Sequence, residues 1–136
     1  MQLALTTTLN TTFDDDAVER TRTALAEQGF GILAEIDMKA TLKAKLDEDI
    51  EDYLILGACN PPLAHRAVDV MRQIGLLLQC NVVVRADRTA ENSVIVDAMN
   101  PALMAEVTGE PALGAIADEA TTRLQAALDS LTTQPH

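Results

Sequence analysis

Aromatic side chains are nearly absent: Phe13, Phe30 and Tyr53 are the whole set, 2% of 136 residues, and tryptophan is missing. The core of this chain must therefore be aliphatic. Bases are scarce as well, 10 Lys and Arg against 21 Asp and Glu, for a formal net charge of −11. Nucleic-acid binding needs cations to neutralise phosphates, and single strands also need stacking platforms. Both shortages argue against a nucleic-acid partner. No apolar run approaches the roughly 20 residues that cross a bilayer, so no membrane span is expected. The first base is Arg20, which leaves the start of the chain without the basic region of a signal peptide. A cytoplasmic protein is expected, where thiols stay reduced. Serine occurs only at Ser93 and Ser130. There is no glycine-rich phosphate loop and no nucleophile elbow.

What the chain does have is aliphatic wealth, 48% hydrophobic residues in a length that suits one domain, residues 1–136. Gln2–Leu9 alternates as a half-buried strand. Asp14, Asp15 and Asp16 offer caps and favourable charge for a helix that ends at Gln28-Gly29. Gly31–Ile36 reads as a second strand, and Met38, Leu42 and Leu46 as a short amphipathic helix closed by Asp47-Glu48-Asp49. Acids at that end oppose the helix dipole, so fraying is expected there.

Tyr53–Ala58 is a near-continuous apolar strand, which suggests cover on both of its faces. Asn60-Pro61 starts a helix strongly. It is expected to carry Leu63, Ala67, Val70, Met71 and Ile74 inward and to stop at Gly75. Asn81–Ala86 and Ser93–Met99 form a hairpin around a polar loop, which requires antiparallel strands. Asn100-Pro101 opens a short helix ending near Thr108-Gly109. Pro111 opens the last helix, with a stripe of Leu113, Ile116, Ala117, Ala120, Leu124, Ala127, Leu128 and Leu131. Thr132–His136 reads as a loose tail. The pattern gives an α/β or α+β domain with a mixed sheet of about five strands and helices packed mainly on one face.

The only two cysteines, Cys59 and Cys80, are each followed by asparagine at the edge of an apolar run. Cys59 precedes a helix start, where the dipole and free N–H groups can stabilise a thiolate. Pro61 and Pro62 remove two of those donors, and free cysteine is also an ordinary core residue. The Cys59–Cys80 spacing is not that of a zinc motif. With His65 the two thiols make an open three-ligand site only if the topology returns Cys80 to the sheet end that holds Cys59. If these strands were parallel neighbours, the cysteines would lie at opposite ends. His65 is either a solvated helical residue or a proton carrier beside Cys59. Asn60 and Asn81 have ready structural roles as helix cap and turn residue. Lys39 and Lys43 share one side of the second helix. They are a solvated pair, with Asp47 one turn from Lys43, or a clamp for an anion.

Read together, Gly29-Phe30-Gly31-Ile32-Leu33, Tyr53-Leu54-Ile55-Leu56-Gly57-Ala58-Cys59-Asn60-Pro61, Gly75-Leu76-Leu77-Leu78 and Cys80-Asn81-Val82-Val83-Val84 resemble the family called domain of unknown function 302. The pairing of Gly-Ala-Cys-Asn-Pro with Leu-Leu-Leu-x-Cys-Asn-Val is specific. The resemblance covers nearly the whole chain. It implies a strongly curved, largely antiparallel sheet and a homodimer, with no established chemistry. Gln79 stands where the family often has proline, and Asn100 where it often has aspartate, so a role for an acid at 100 does not carry over.

Two functional readings follow. The first is a non-enzymatic homodimeric module that binds a small ligand, a metal or a protein partner, since no catalytic constellation is complete. The apolar periodic surface also exceeds what one layer of helices covers. The second is a thiol-dependent redox protein or enzyme using Cys59 with His65 and possibly Cys80. In either case the expected ligand-binding region gathers Cys59, Asn60, His65, Cys80 and Asn81, with Lys39 and Lys43 as the anion alternative. Cofactor and metal stay open.

Overall fold

Asp14 begins the first helix by accepting a hydrogen bond from the Ala17 N–H at 2.9 Å, as an N-cap aspartate should. In the computed structural model, which describes residues 2–133, this helix is α1, Asp15–Glu27. It ends where Gly29 takes φ +86, a left-handed turn that glycine adopts without strain. The complete order is β1 Ala4–Leu9, α1, β2 Gly31–Asp37, α2 Met38–Leu46, β3 Tyr53–Cys59, α3 Pro61–Val70, a 3-10 turn Arg72–Leu76, β4 Cys80–Ala86, β5 Val94–Met99, α4 Ala102–Thr108 and α5 Leu113–Thr133. That is the expected element order with one turn added.

The five strands form one open sheet in the order β1-β5-β4-β3-β2. Every pairing is antiparallel. The α+β class stands, and the largely antiparallel sheet leaves no parallel pair to make it mixed. The reason lies in the crossovers: even the connection through α3 brings the chain back beside β3 in the opposite direction.

Alternation along the strands sorts side chains onto two faces. Leu54, Leu56 and Ala58 of β3, Val82 and Val84 of β4, and Val94, Val96 and Ala98 of β5 are buried on one face. They share a core with Ala17, Val18 and Leu25 of α1 and Leu124, Ala127, Leu128 and Leu131 of α5. A second apolar cluster joins Leu63 and Ala67 of α3, Ile74, Met104 of α4 and the first half of α5. All eight residues of the α5 stripe are buried, so this helix spans both clusters.

Among the described residues no helix covers the centre of the other face. Tyr53, Ile55, Val83, Ile95 and Met99 are half-buried there, and Ile36 is 46% exposed. The expected cover on both faces of β3 is not provided within the described residues. Arg85 Nε lies 3.0 Å from Asp97 Oδ2 in the middle of this face, and Thr6 Oγ1 donates to Asp97 Oδ1 at 2.7 Å.

Three local expectations change. The third helix ends at Val70 because Met71 takes an extended backbone, φ −154 and ψ 115. The break lets Ile74 go inward while Val70 stays 37% exposed. The acidic end of α2 is capped. Asp47 adopts a left-handed conformation, φ 55, that caps the carbonyls of Leu42 and Lys43. Yet α2 buries no residue, and Leu46 is 64% exposed. Thr132 and Thr133 belong to α5 rather than to a tail, while residues 134–136 lie outside the described part. No described helix is long and apolar enough to cross a membrane.

Candidate functional site

The end of the sheet where β3 finishes, β4 starts and β5 finishes is closed by α3, the 3-10 turn, α4 and α5. Asn60 organises it. Its Oδ1 accepts from the Leu63 N–H at 3.3 Å, capping α3, and its Nδ2 donates to the Gln28 carbonyl at 3.4 Å. At 8% exposure this amide is buried with both ends engaged, which is the structural role expected of it. A Cβ at position 29 would come 3.0 Å from the Asn60 Nδ2, so Gly29 is required by both its φ and this approach.

Beside Asn60 lies an apolar pocket at the seam of the two hydrophobic clusters. Asn60 and Cys80 are its only polar wall residues; the others are Phe30, Leu63, Ala64, Ala67, Leu77, Leu78, Met99, Pro101, Met104, Ile116 and Ala120. Its cavity volume is about 40 Å³. Burial pushes the Cys80 thiol up to about 11, helped by the charge that Cys59 would carry. Cys80 is therefore a neutral thiol at neutral pH and a poor nucleophile.

The antiparallel register Ala58↔Cys80 does return Cys80 to the sheet end that holds Cys59. The pleat then separates them. Cys80 shares the helix-covered face with its partner Ala58, and Cys59, one residue on, belongs to the opposite face. Cys59 is not part of the pocket wall, and both cysteines are free. His65 does not join them: its side chain is 78% exposed, with Nε2 3.7 Å from Asp69 Oδ2. Among the described residues no group of three His, Cys, Asp or Glu is placed to hold a metal.

Asn81 is a strand residue opposite Gly57 rather than a turn residue. It is exposed on the open face, where its Oδ1 accepts from Gln79 Nε2 at 3.2 Å. The Gln79 side chain covers Gly57, and any Cβ at 57 would collide with its amide. Asn81 also borders a shallow depression of that face, together with Tyr53, Val83, Asp97 and Met99. Lys39 pairs with Asp52 at 3.3 Å, and Lys43 with Asp47 at 2.9 Å and Asp49 at 3.4 Å. With carboxylates on both, the pair is a solvated face and a poor anion clamp.

The proposed site residues thus divide among three places: Asn60 and Cys80 in the pocket, Cys59 and Asn81 on the open face, His65 and the lysines in solvent. Sequence reasoning missed the apolar walls, above all Leu77, Leu78, Met99, Met104 and Ile116. The one available signal was Leu77-Leu78 immediately before Cys80, on the segment that enters β4.

A search of curated proteins finds no match. The crystal structure of an uncharacterized conserved protein DUF302 from Bacillus stearothermophilus is similar at a TM-score of 0.85 and 26% identity, over 95% of this chain and 98% of that one. The family model described as domain of unknown function DUF302 matches residues 5–131. This match runs from β1 to the last turn of α5, and the chain belongs to the DUF302 family.

Proposed function

We propose that this protein is a non-enzymatic homodimeric module that binds a small ligand in the pocket at the end of the sheet, and that it works in the cytoplasm. One observation carries the reading: eleven of thirteen wall residues are apolar, and the two polar ones are an amide that already caps α3 and a protonated thiol. Such a wall can hold a molecule, but it offers no base, nucleophile or charged stabiliser for chemistry. The thiol-dependent alternative has less support, since burial keeps Cys80 protonated and the register sends Cys59 to the other face.

Dimerisation is assigned to the open sheet face. Its outward residues Ile55, Val83 and Ile95 are apolar where an antiparallel sheet facing water usually turns polar. Arg85 and Asp97 sit side by side within it, so two copies related by a twofold axis can meet with opposite charges opposed. Sedimentation equilibrium tests this part. Twice the 14.6 kDa chain mass is expected at micromolar concentration, and Val83→Lys is expected to return the monomer. A wild-type monomer at high concentration would refute the dimer.

A further inference from the structure

We propose that α2 pairs with α2 of a second copy of this chain, antiparallel across a twofold axis. This contact is separate from the one assigned to the open sheet face. Three observations lead to it.

Burial is the first. No residue from Gly31 to Tyr53 is buried, although the stretch contains the whole of β2 and α2. A helix of nine residues is too short to hold itself in water by propensity. It is fixed at its ends instead. Asp37 Oδ1 accepts from the Ala40 N–H at 2.9 Å, and Thr41 Oγ1 donates to the Asp37 carbonyl at 2.8 Å. Asp47 closes the last turn. Local caps thus hold the helix ready while its outer surface stays uncovered, so a partner meets a preformed element.

Charge is the second, and it selects the partner. All three lysines of the chain, Lys39, Lys43 and Lys45, lie on α2. On a protein of net charge −11 this helix is where another acidic surface is attracted. Lys43 is followed one turn later by Asp47, and both are exposed. A twofold axis between antiparallel helices exchanges these positions, so Lys43 of each copy faces Asp47 of the other. Within one chain the same two groups pair at 2.9 Å in solvent. Such a pair contributes little and is readily exchanged for one between chains.

Apolar placement is the third. The same stagger sets Leu46, 64% exposed, against the exposed Ala44 of the other copy, twice by symmetry. Positions 43, 44, 46 and 47 share one side of the helix by their three- and four-residue spacings. The pairing therefore removes an exposed leucine from water on each copy.

The test is an amide NMR titration of the full chain, in which the position of the shifts separates this contact from the open face. Raising the wild type from about 20 micromolar to about 1 millimolar is expected to shift the amides of α2, and about 0.5 M salt to reverse the shift. Lys43→Glu and Asp47→Lys each set like charges across the pair, so neither variant is expected to respond to its own concentration. Mixing labelled Lys43→Glu chain with unlabelled Asp47→Lys chain restores both pairs. The shifts are expected to return, at an affinity at least about tenfold above that of either variant alone. Only pairing between chains gives that recovery, because each variant lacks the pair within itself. If a variant loses α2, the wild-type titration still decides. Amides of α2 unmoved in the wild type up to about 1 millimolar would overturn the proposal. Shifts confined to β3, β4 and β5 would overturn it while supporting the dimer on the open face. A response of α2 to a polyglutamate peptide but not to a second copy would overturn it in favour of a foreign acidic partner.

Discussion

The two faces of the sheet are built from similar residues and have opposite fates. Leu54, Leu56, Val82, Val84, Val94 and Val96 lie under α1 and α5 with at most 7% exposure. Their chain neighbours Tyr53, Ile55, Val83 and Ile95 are nearly as apolar but only half-buried. Composition alone does not distinguish them; the parity of the strand positions does. An isolated chain leaves the second face wet, and this is the physical case for a partner copy on it.

Neighbouring residues on β3 give the sharpest way to break that contrast. Leu56 is 0% exposed, so Leu56→Ala is expected to cost about 3 kcal/mol from lost burial plus a cavity. Ile55→Ala, one residue away, is expected to cost about 1 kcal/mol when the chain is dilute enough to be monomeric. Urea denaturation at low protein concentration reads both. Equal losses there would mean that the open face is already covered within one chain. A loss at Ile55 that grows with protein concentration would instead tie that residue to the dimer.

The cysteines extend the comparison to pH. Cys80 on the covered face has its pKa raised from 9.0 to about 11, so the folded state holds this proton more tightly than the unfolded state does. Its contribution is complete below pH 9 and is lost as pH rises from about 9 through about 11. The loss amounts to about 2–3 kcal/mol by linkage. Alkali acts on the rest of the protein as well, so the informative quantity is the difference between wild type and Cys80→Ala. Their stability curves are expected to converge across that window, the wild type falling faster. Parallel curves would show that Cys80 is not desolvated as its position on the covered face implies.

Much of this arrangement was legible in the sequence, because the punctuation was strong. Asp14, Asn60-Pro61 and Gly109 fixed helix ends by capping and left-handed turns that few other residues supply, and the α5 stripe was visible at helical spacing. The break at Met71 was hidden, since Val70, Met71 and Ile74 continue an apolar pattern whether or not the helix does. The pocket was hidden for a deeper reason: its walls come from segments as far apart as Phe30 and Ala120, and no local periodicity encodes their meeting. The cysteines fall between these cases. Their proximity to strand ends was readable, but which face each takes depends on the register Ala58↔Cys80, a tertiary fact.

The smallest effect is expected at Gly57, where it bears most directly on how firmly the open face is built. Gly57 is buried only because the Gln79 side chain lies across it. In Gly57→Ala the new methyl must displace the Gln79 amide, which is the far end of a flexible side chain and can swing into solvent. What is lost is its exposed hydrogen bond to Asn81, worth about 0.5–1 kcal/mol. What is gained is a less disordered unfolded chain, worth about 0.4–1 kcal/mol. The two nearly cancel, so Gly57→Ala is expected to change stability by less than about 0.5 kcal/mol by these magnitudes. Adding Gln79→Ala removes the displaced group, so the double variant should be no less stable than Gly57→Ala alone. A loss above about 2 kcal/mol in the single variant, recovered in the double, would show Gln79 locked in place. The open face would then hold a fixed polar lid over β3, and the contrast between the two faces would be weaker than their exposures suggest.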